Sequence, residues 1–197
     1  EELSKNILDK LNTNSINIIE AVPRNTAAAI AFACLAVDRD DVLIVTPSDH
    51  LINQMDLYEE ALKHAIELAE KEYIVTFGIK PTHPETGYGY IEYSGDDVVS
   101  FREKPNHITA QDFIERGTFL WNSGMFCFKA GVMLDELKQY EPEILKQSKK
   151  AWESNTNGYL DEDLSLSIPA NSIDYAVMER SKKIKVVPAA FHWDDLG

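Results

Sequence analysis

Apolar positions along the chain follow two rhythms. Leu57, Ala61, Ala65 and Leu68 recur at intervals of three and four, with Glu59, Glu60, Lys63, Glu67 and Glu70 filling the rest of the turn, which predicts an amphipathic helix. An earlier helix is predicted from Thr26 through the Ala-rich run to Val37, with Asn25 as its N-cap after a Pro23-Arg24 turn. By contrast, Asp41 to Thr46, closed by Pro47, and Tyr73 to Ile79 are short continuous apolar runs, the pattern of strands buried on both faces. Strand, helix and strand joined by short connections predict a βαβ unit and a largely parallel sheet.

Beyond Ile79 the pattern changes. Tyr88 to Tyr93, Val98 to Arg102 and Phe119 to Phe128 read as strands of a mixed or antiparallel extension, with a short helix near Gln111 to Arg116. Helices are expected at Val132 to Tyr140, Glu143 to Trp152 and Ile173 to Arg180, before a last strand at Ile184 to Val187. The fold class is α/β. No internal repeat or low-complexity linker interrupts it.

The 197 residues, 44% of them hydrophobic, suffice for a single domain with a sizeable core or for one large piece of a bigger domain. A formal net charge of -14 argues against a nucleic-acid backbone or an anionic membrane as partner, since both reward clustered Lys and Arg. It leaves room for a small phosphorylated ligand held by a few local cations or by a carboxylate-bound metal. Cys34 and Cys127 read as small buried hydrophobes rather than a disulfide. No stretch is long and apolar enough to span a bilayer, and Glu1 to Lys5 lack a secretory pattern, so the cytosol is the expected compartment. The chain starts without Met inside a segment that reads as helix and stops just after Leu196, as an excerpt would.

Candidate chemistry lies at the strand ends, where open α/β sheets bind ligands. Asp49, in Pro47-Ser48-Asp49-His50, suits a hard divalent cation, or else caps a turn. Asp194 and Asp195 offer a second carboxylate, or a solvated turn. Glu103 and Lys104 close a strand before Pro105: Lys can meet a phosphate and Glu can accept from sugar hydroxyls, although an exposed charged strand end looks the same. Gly89, in Pro84 to Tyr90, either permits a turn or lets backbone face a ligand. Asn122-Ser123-Gly124 breaks the apolar run from Thr118 to Phe128, as a β-bulge would, or as a site for a hydroxyl-rich ligand would. His64, on a charged helix, is expected to be solvated. P-loop, dinucleotide, nucleophile-elbow and zinc motifs are absent.

Taken together, Arg24 to Ala28, Pro47 to His50, Phe77 to Ile79 with Pro84 to Ile91, Glu103-Lys104-Pro105, Trp121 to Phe126, Ser172 to Glu179 and Trp193 to Gly197 resemble the mannose-1-phosphate guanylyltransferases, also called GDP-mannose pyrophosphorylases. The resemblance implies a Rossmann-like mixed sheet sandwiched by helices, forming one nucleotidyltransferase domain over residues 1–197. It implies that Arg24, Asn25 and Thr26 flank the nucleotide base and that Asp49 and Asp195 hold Mg²⁺. It also implies that Gly89, Glu103 and Asn122 contact the sugar while Lys104 meets the sugar phosphate, with Asp49, Lys104 and Asp195 as the catalytic set. His50 and Ser172 to Glu179 match the family as well and are assigned to packing.

The implied reaction joins GTP and mannose 1-phosphate to give GDP-mannose and pyrophosphate, with homo-oligomers allowed. The family's Gly-Gly-x-Gly-x-Arg loop and first strand are missing from this sequence, so catalysis by this excerpt alone is not expected. Two other readings stay open: a nucleotidyltransferase for another hexose 1-phosphate, and a non-catalytic sugar-nucleotide sensor.

Overall fold

A computed structural model describes Ile7, Lys10 and residues 15–197. The helix anticipated around Glu1 lies outside the described residues. In chain order the elements begin with α1 (Asn25–Leu35), β1 (Val42–Val45), β2 (His50–Ile52), α2 (Met55–Glu70) and β3 (Ile74–Ile79). There follow β4 (Tyr90–Ser94), β5 (Asp97–Arg102), α3 (His107–Arg116), β6 (Phe119–Lys129), α4 (Ala130–Tyr140) and α5 (Pro142–Glu153). The chain closes with α6 (Glu162–Leu166), a π-helical turn (Asp174–Met178), β7 (Ile184–Pro188) and β8 (Trp193–Asp195).

Six strands form one mixed sheet in the order β1-β6-β3-β7-β5-β4, and β4 also pairs with the start of β6. Helices cover both faces. Side chains from α1, α4 and α5 pack with Ile74, Leu120, Phe126, Phe128 and Val186. On the opposite face, α2 and α3 pack with Val75, Phe77, Trp121, Met125 and Cys127. Alternation along β6 sends neighbouring side chains into the two cores, which is why that strand shows no apolar-polar pattern. Cys34 and Cys127 fall in different cores, and burial raises their thiols to about 12 and about 11, in keeping with small inert hydrophobes.

The α/β class agrees with the pattern reading and the mixed, helix-sandwiched sheet with what the resemblance implies, but the expectation of a largely parallel sheet is corrected. Strands β1 and β3 do not pair: β6 lies between them and runs antiparallel to both. Among the described strands, the direct parallel pair is β3 with β7. Non-local pairing decided this, and local periodicity carries no record of it. Strand β1 is likewise half-buried rather than covered on both faces, because it stands at the sheet edge with Ile44 42% exposed. His64 is not simply solvated, since its Nε2 lies 3.0 Å from the Asp96 carboxylate at the β4–β5 turn. At α1, Asn25 is the first helical residue with φ +69°, and its Oδ1 accepts from Thr26 N rather than capping further along.

The Asn122-Ser123-Gly124 step is a bulge. Thr76 pairs with Phe126 and Gly78 with Asn122, so between these pairs Phe77 alone on β3 faces Ser123, Gly124 and Met125 on β6. An insertion of two preserves the side-chain period, which keeps Trp121 and Met125 in the same core. Gly124 takes φ +71° at the kink, a conformation that favours glycine.

Candidate active site

The bulge opens onto a cleft of about 500 Å³. One end is made by a short antiparallel ribbon in which β2 and β8 pair His50 with Asp195 and Ile52 with Trp193. Leu196 N donates to Asp49 O at 3.0 Å, extending the ribbon by one rung and fixing Asp49 beside Asp195. Gly197 N donates to Asp195 Oδ1 at 3.0 Å, and a Cβ at Gly197 would lie 2.6 Å from Asp49 Oδ2, so the carboxylate occupies the space a side chain would fill.

Asp49, His50 and Asp195 thus offer ligand atoms within 4.8 Å of one another. Two oxygens each about 2.0–2.1 Å from one Mg²⁺ span at most about 4 Å, a spacing within reach of small side-chain rotations here. Both carboxylates are exposed, leaving further coordination positions to water or to a ligand. Carboxylate oxygens with open positions fit a hard divalent cation.

The other end belongs to the main sheet. Asn122 Oδ1 accepts from Thr76 Oγ1 at 2.8 Å, and its Nδ2 donates to Asp174 Oδ1 at 2.9 Å. Thr76 is fully buried, so this chain of bonds fixes the amide and leaves one Nδ2 hydrogen for a ligand. Glu103 sits alongside, its side chain 8% exposed and its Oε2 without a hydrogen-bond partner. Burial and the nearby Asp174 push its carboxyl up to about 7, against the pull of Lys104, whose Nζ lies 3.7 Å from Oε1. Burial also raises Asp174, opposed by the bond from Asn122. A Cβ on Gly89 would meet Glu103 Oε2 at 2.5 Å, so glycine there is what lets the buried carboxylate reach its place.

Among the residues singled out in the sequence, Asp49, Gly89, Glu103, Lys104, Asn122, Asp195 and Thr26 line this cleft. Arg24 and Asn25 do not: Arg24 Nε donates to Ile168 O at 2.5 Å, and Asn25 serves its own helix start. Thr26 accepts from Ile173 N at 2.9 Å, tying α1 to the segment that carries Asp174. Sequence reasoning missed Asp174 by assigning Ser172 to Glu179 to packing. Ile173, Ala176 and Val177 do pack, but the π-helical turn aims Asp174 into the cleft, and a lone acid beside those apolar positions was the available signal. His50, likewise assigned to packing, does pack edge to face on Trp193 and also lines the cleft.

Tyr88 and Trp193, with ring centres 5.6 Å apart, stand between this cleft and a second cavity of about 350 Å³ lined in part by Lys80, His83, Trp121 and His192.

A protein-family model described as nucleotidyl transferase matches residues 2–197, and the chain belongs to that family. Mannose-1-phosphate guanylyltransferase of Escherichia coli (strain K12) is 43% identical over 209 residues, covering 96% of this chain and 43% of that protein. Xanthan biosynthesis protein XanB of Xanthomonas campestris pv. campestris (strain B100) is 44% identical over 191 residues, covering 91% of this chain and 41% of that protein. The chain therefore spans less than half the length of these relatives. A solved structure described as mannose-6-phosphate isomerase from Helicobacter pylori superposes with a TM-score of 0.89 at 43% identity, over 95% of this chain and 79% of that one.

Proposed function

We propose that this chain is the nucleotidyltransferase part of a mannose-1-phosphate guanylyltransferase, which transfers GMP from GTP to mannose 1-phosphate and releases pyrophosphate. The carrying observation is that one cleft joins an exposed carboxylate pair at one end to a buried set of sugar-type hydrogen-bonding groups at the other. Identity of 43% to a protein of that name in Escherichia coli supports the same reading.

In this reading a phosphate oxygen of mannose 1-phosphate attacks the α-phosphorus of GTP, the bond from that phosphorus to the α,β-bridging oxygen breaks, and pyrophosphate leaves with the electron pair. The attacking group has a second pKa of about 6, so at neutral pH it is already largely a dianion and needs no general base. The residues therefore align and neutralise rather than shuttle protons. Lys104 meets the sugar phosphate as a point charge. Glu103 and Asp174 accept hydrogen bonds from sugar hydroxyls, and the spare Nδ2 hydrogen of Asn122 donates to a hydroxyl oxygen. Asp49 and Asp195 would hold Mg²⁺, which when bound would supply positive charge against the phosphates. Thr26 stands at the nucleotide side, with Arg24 and Asn25 holding the helix start that presents it.

The family's Gly-rich loop, which would cradle the triphosphate, is proposed to belong to the whole protein outside residues 1–197, so turnover is assigned to the whole protein. Pyrophosphate release by the full-length protein, measured over a panel of nucleoside triphosphates and hexose 1-phosphates with Mg²⁺, tests this reading. Release with GTP and mannose 1-phosphate is expected. Preference for another pair assigns a related transferase, and GDP-mannose binding without turnover assigns a sensor.

A further inference from the structure

His50 stands between the two carboxylates in the sequence of the ribbon, and its ring has a defined set of partners. Trp193 Nε1 donates to His50 Nδ1 at 3.1 Å, with the two rings edge to face at a centroid distance of 5.0 Å. An indole N–H can only donate, so Nδ1 accepts and the neutral ring carries its proton on Nε2. That leaves neither nitrogen with a free lone pair for a cation. Among the described residues, no ion pair or hydrogen bond joins His50 to Asp49 or Asp195, and none uses Nε2. The ring is half-buried on the cleft wall.

We propose that His50 is a hydrogen-bond donor to a phosphate oxygen through Nε2–H, set in that tautomer by Trp193, and that it is not a ligand of the cation although it lies among the ligand atoms. Asp49 and Asp195 only accept, so of these three residues His50 alone can donate to an anionic oxygen brought in beside them. The register of the ribbon makes the arrangement possible: pairing Ile52 with Trp193 and His50 with Asp195 sets the indole diagonally beside the imidazole. Trp193 acts as a positioning residue. The phosphate in this proposal rests on the function proposed above, whereas the tautomer does not.

The test uses the full-length protein labelled with ¹⁵N at histidine. Long-range ¹H–¹⁵N spectra in the presence of Mg²⁺ are expected to show His50 protonated at Nε2 and unprotonated at Nδ1, with Trp193→Phe producing a tautomer mixture. Calorimetry with Mn²⁺ alone is expected to give affinities within about twofold for wild type, His50→Gln and His50→Phe. With Mg²⁺ and inorganic pyrophosphate as the probe, His50→Phe should bind about tenfold more weakly or worse, as expected for losing a hydrogen bond to a charged group. His50→Gln, which keeps an N–H near the Nε2 position, should stay within about threefold. A ring protonated at Nδ1, a tenfold loss of Mn²⁺ affinity in both variants, unaltered pyrophosphate binding by His50→Phe, or no pyrophosphate binding by wild type each overturns the proposal. Because these readouts do not require turnover, a protein that makes no GDP-mannose but passes them fails the functional reading alone.

Discussion

Asp49 and Asp195 stand exposed on a short two-stranded ribbon, whereas the Asn122 and Glu103 side chains are buried against the main sheet with fully buried Thr76 behind the amide. Both ends of the cleft carry carboxylates, yet their surroundings differ in kind. Carboxylates open to water keep most of their hydration, so bringing two together costs little that a counter-ion does not offset. A carboxylate pressed into the sheet loses hydration, and its charged form becomes costly unless donors reach it. The ribbon end is suited to a cation and the sheet end to neutral hydroxyls. Substitutions at the first end should affect function alone; substitutions at the second should affect function and folding together.

The largest expected effect is at the ribbon. Asp49→Asn or Asp195→Asn in the full-length protein should lower Mg²⁺-dependent kcat by at least about a hundredfold, the usual cost of an electrostatic contact to the transition state. Melting should move by no more than the equivalent of about 0.5 kcal/mol, as for exposed sites. Wild-type turnover, or a large loss of stability, would break the contrast.

Next in size is Thr76→Val, which takes away the shorter of two hydrogen bonds to Asn122 Oδ1, 2.8 Å from Thr76 Oγ1, and leaves the longer one, 3.3 Å from Gly124 N. Loss of one buried hydrogen bond costs about 1 kcal/mol, to be read from urea unfolding, with a rise in KM for the sugar phosphate. Gly89→Ala comes third. Its methyl would stand 2.5 Å from Glu103 Oε2, so the carboxylate must move, and KM for mannose 1-phosphate should rise about tenfold while KM for GTP stays put. Equal changes in both constants would mean that the two ends are not separable. Lys104→Ala should show the same asymmetry.

The smallest effect is a pH dependence. With its carboxyl pushed up to about 7, Glu103 holds its proton more tightly in the folded chain than in the unfolded one. Its contribution to stability is therefore most favourable below 4.5 and is lost as pH rises toward about 7. Ligand binding has the opposite sign, because the ionised carboxylate is the stronger acceptor of hydrogen bonds from hydroxyls. KM for mannose 1-phosphate should fall as pH rises from 6 to 8, and Glu103→Gln should flatten the part of that slope that the ligand's own ionisation, near about 6, leaves over. An unchanged slope in the Gln variant would remove Glu103 as the titrating group.

Legibility followed the same division between local and non-local order. Helix α2 and strand β3 announced themselves through periodicity and apolar runs, because the pattern of buried positions repeats within each element. The place of β6 between β1 and β3 was not readable, since pairing partners from 42 (Ile79 with Trp121) to 87 (Val42 with Lys129) residues apart leave no local trace. Strands of three residues such as β2 and β8 are too short to show a period, so the ribbon that joins Asp49 to Asp195 appeared in the sequence as two unconnected turns. Asn122-Ser123-Gly124 supported two readings that the structure combines: the bulge is what turns the polar step toward the cleft. Asp174 stayed hidden because the apolar residues around it, Ile173 and Ala176, are true core. Arg24 and Asn25 stood out by resemblance, while their bonds serve the start of α1.

The central claim is that one cleft holds a cation at its exposed acidic end and a phosphorylated hexose at its buried end. A crystal structure of the full-length protein with Mn²⁺ and GDP-mannose, recorded at a wavelength where Mn²⁺ scatters anomalously, tests it most directly. The account predicts an anomalous peak in contact with carboxylate oxygens of both Asp49 and Asp195, with the hexose hydroxyls against Glu103, Asn122 and Asp174. A peak bound to neither carboxylate, or a hexose outside this cleft, would contradict it.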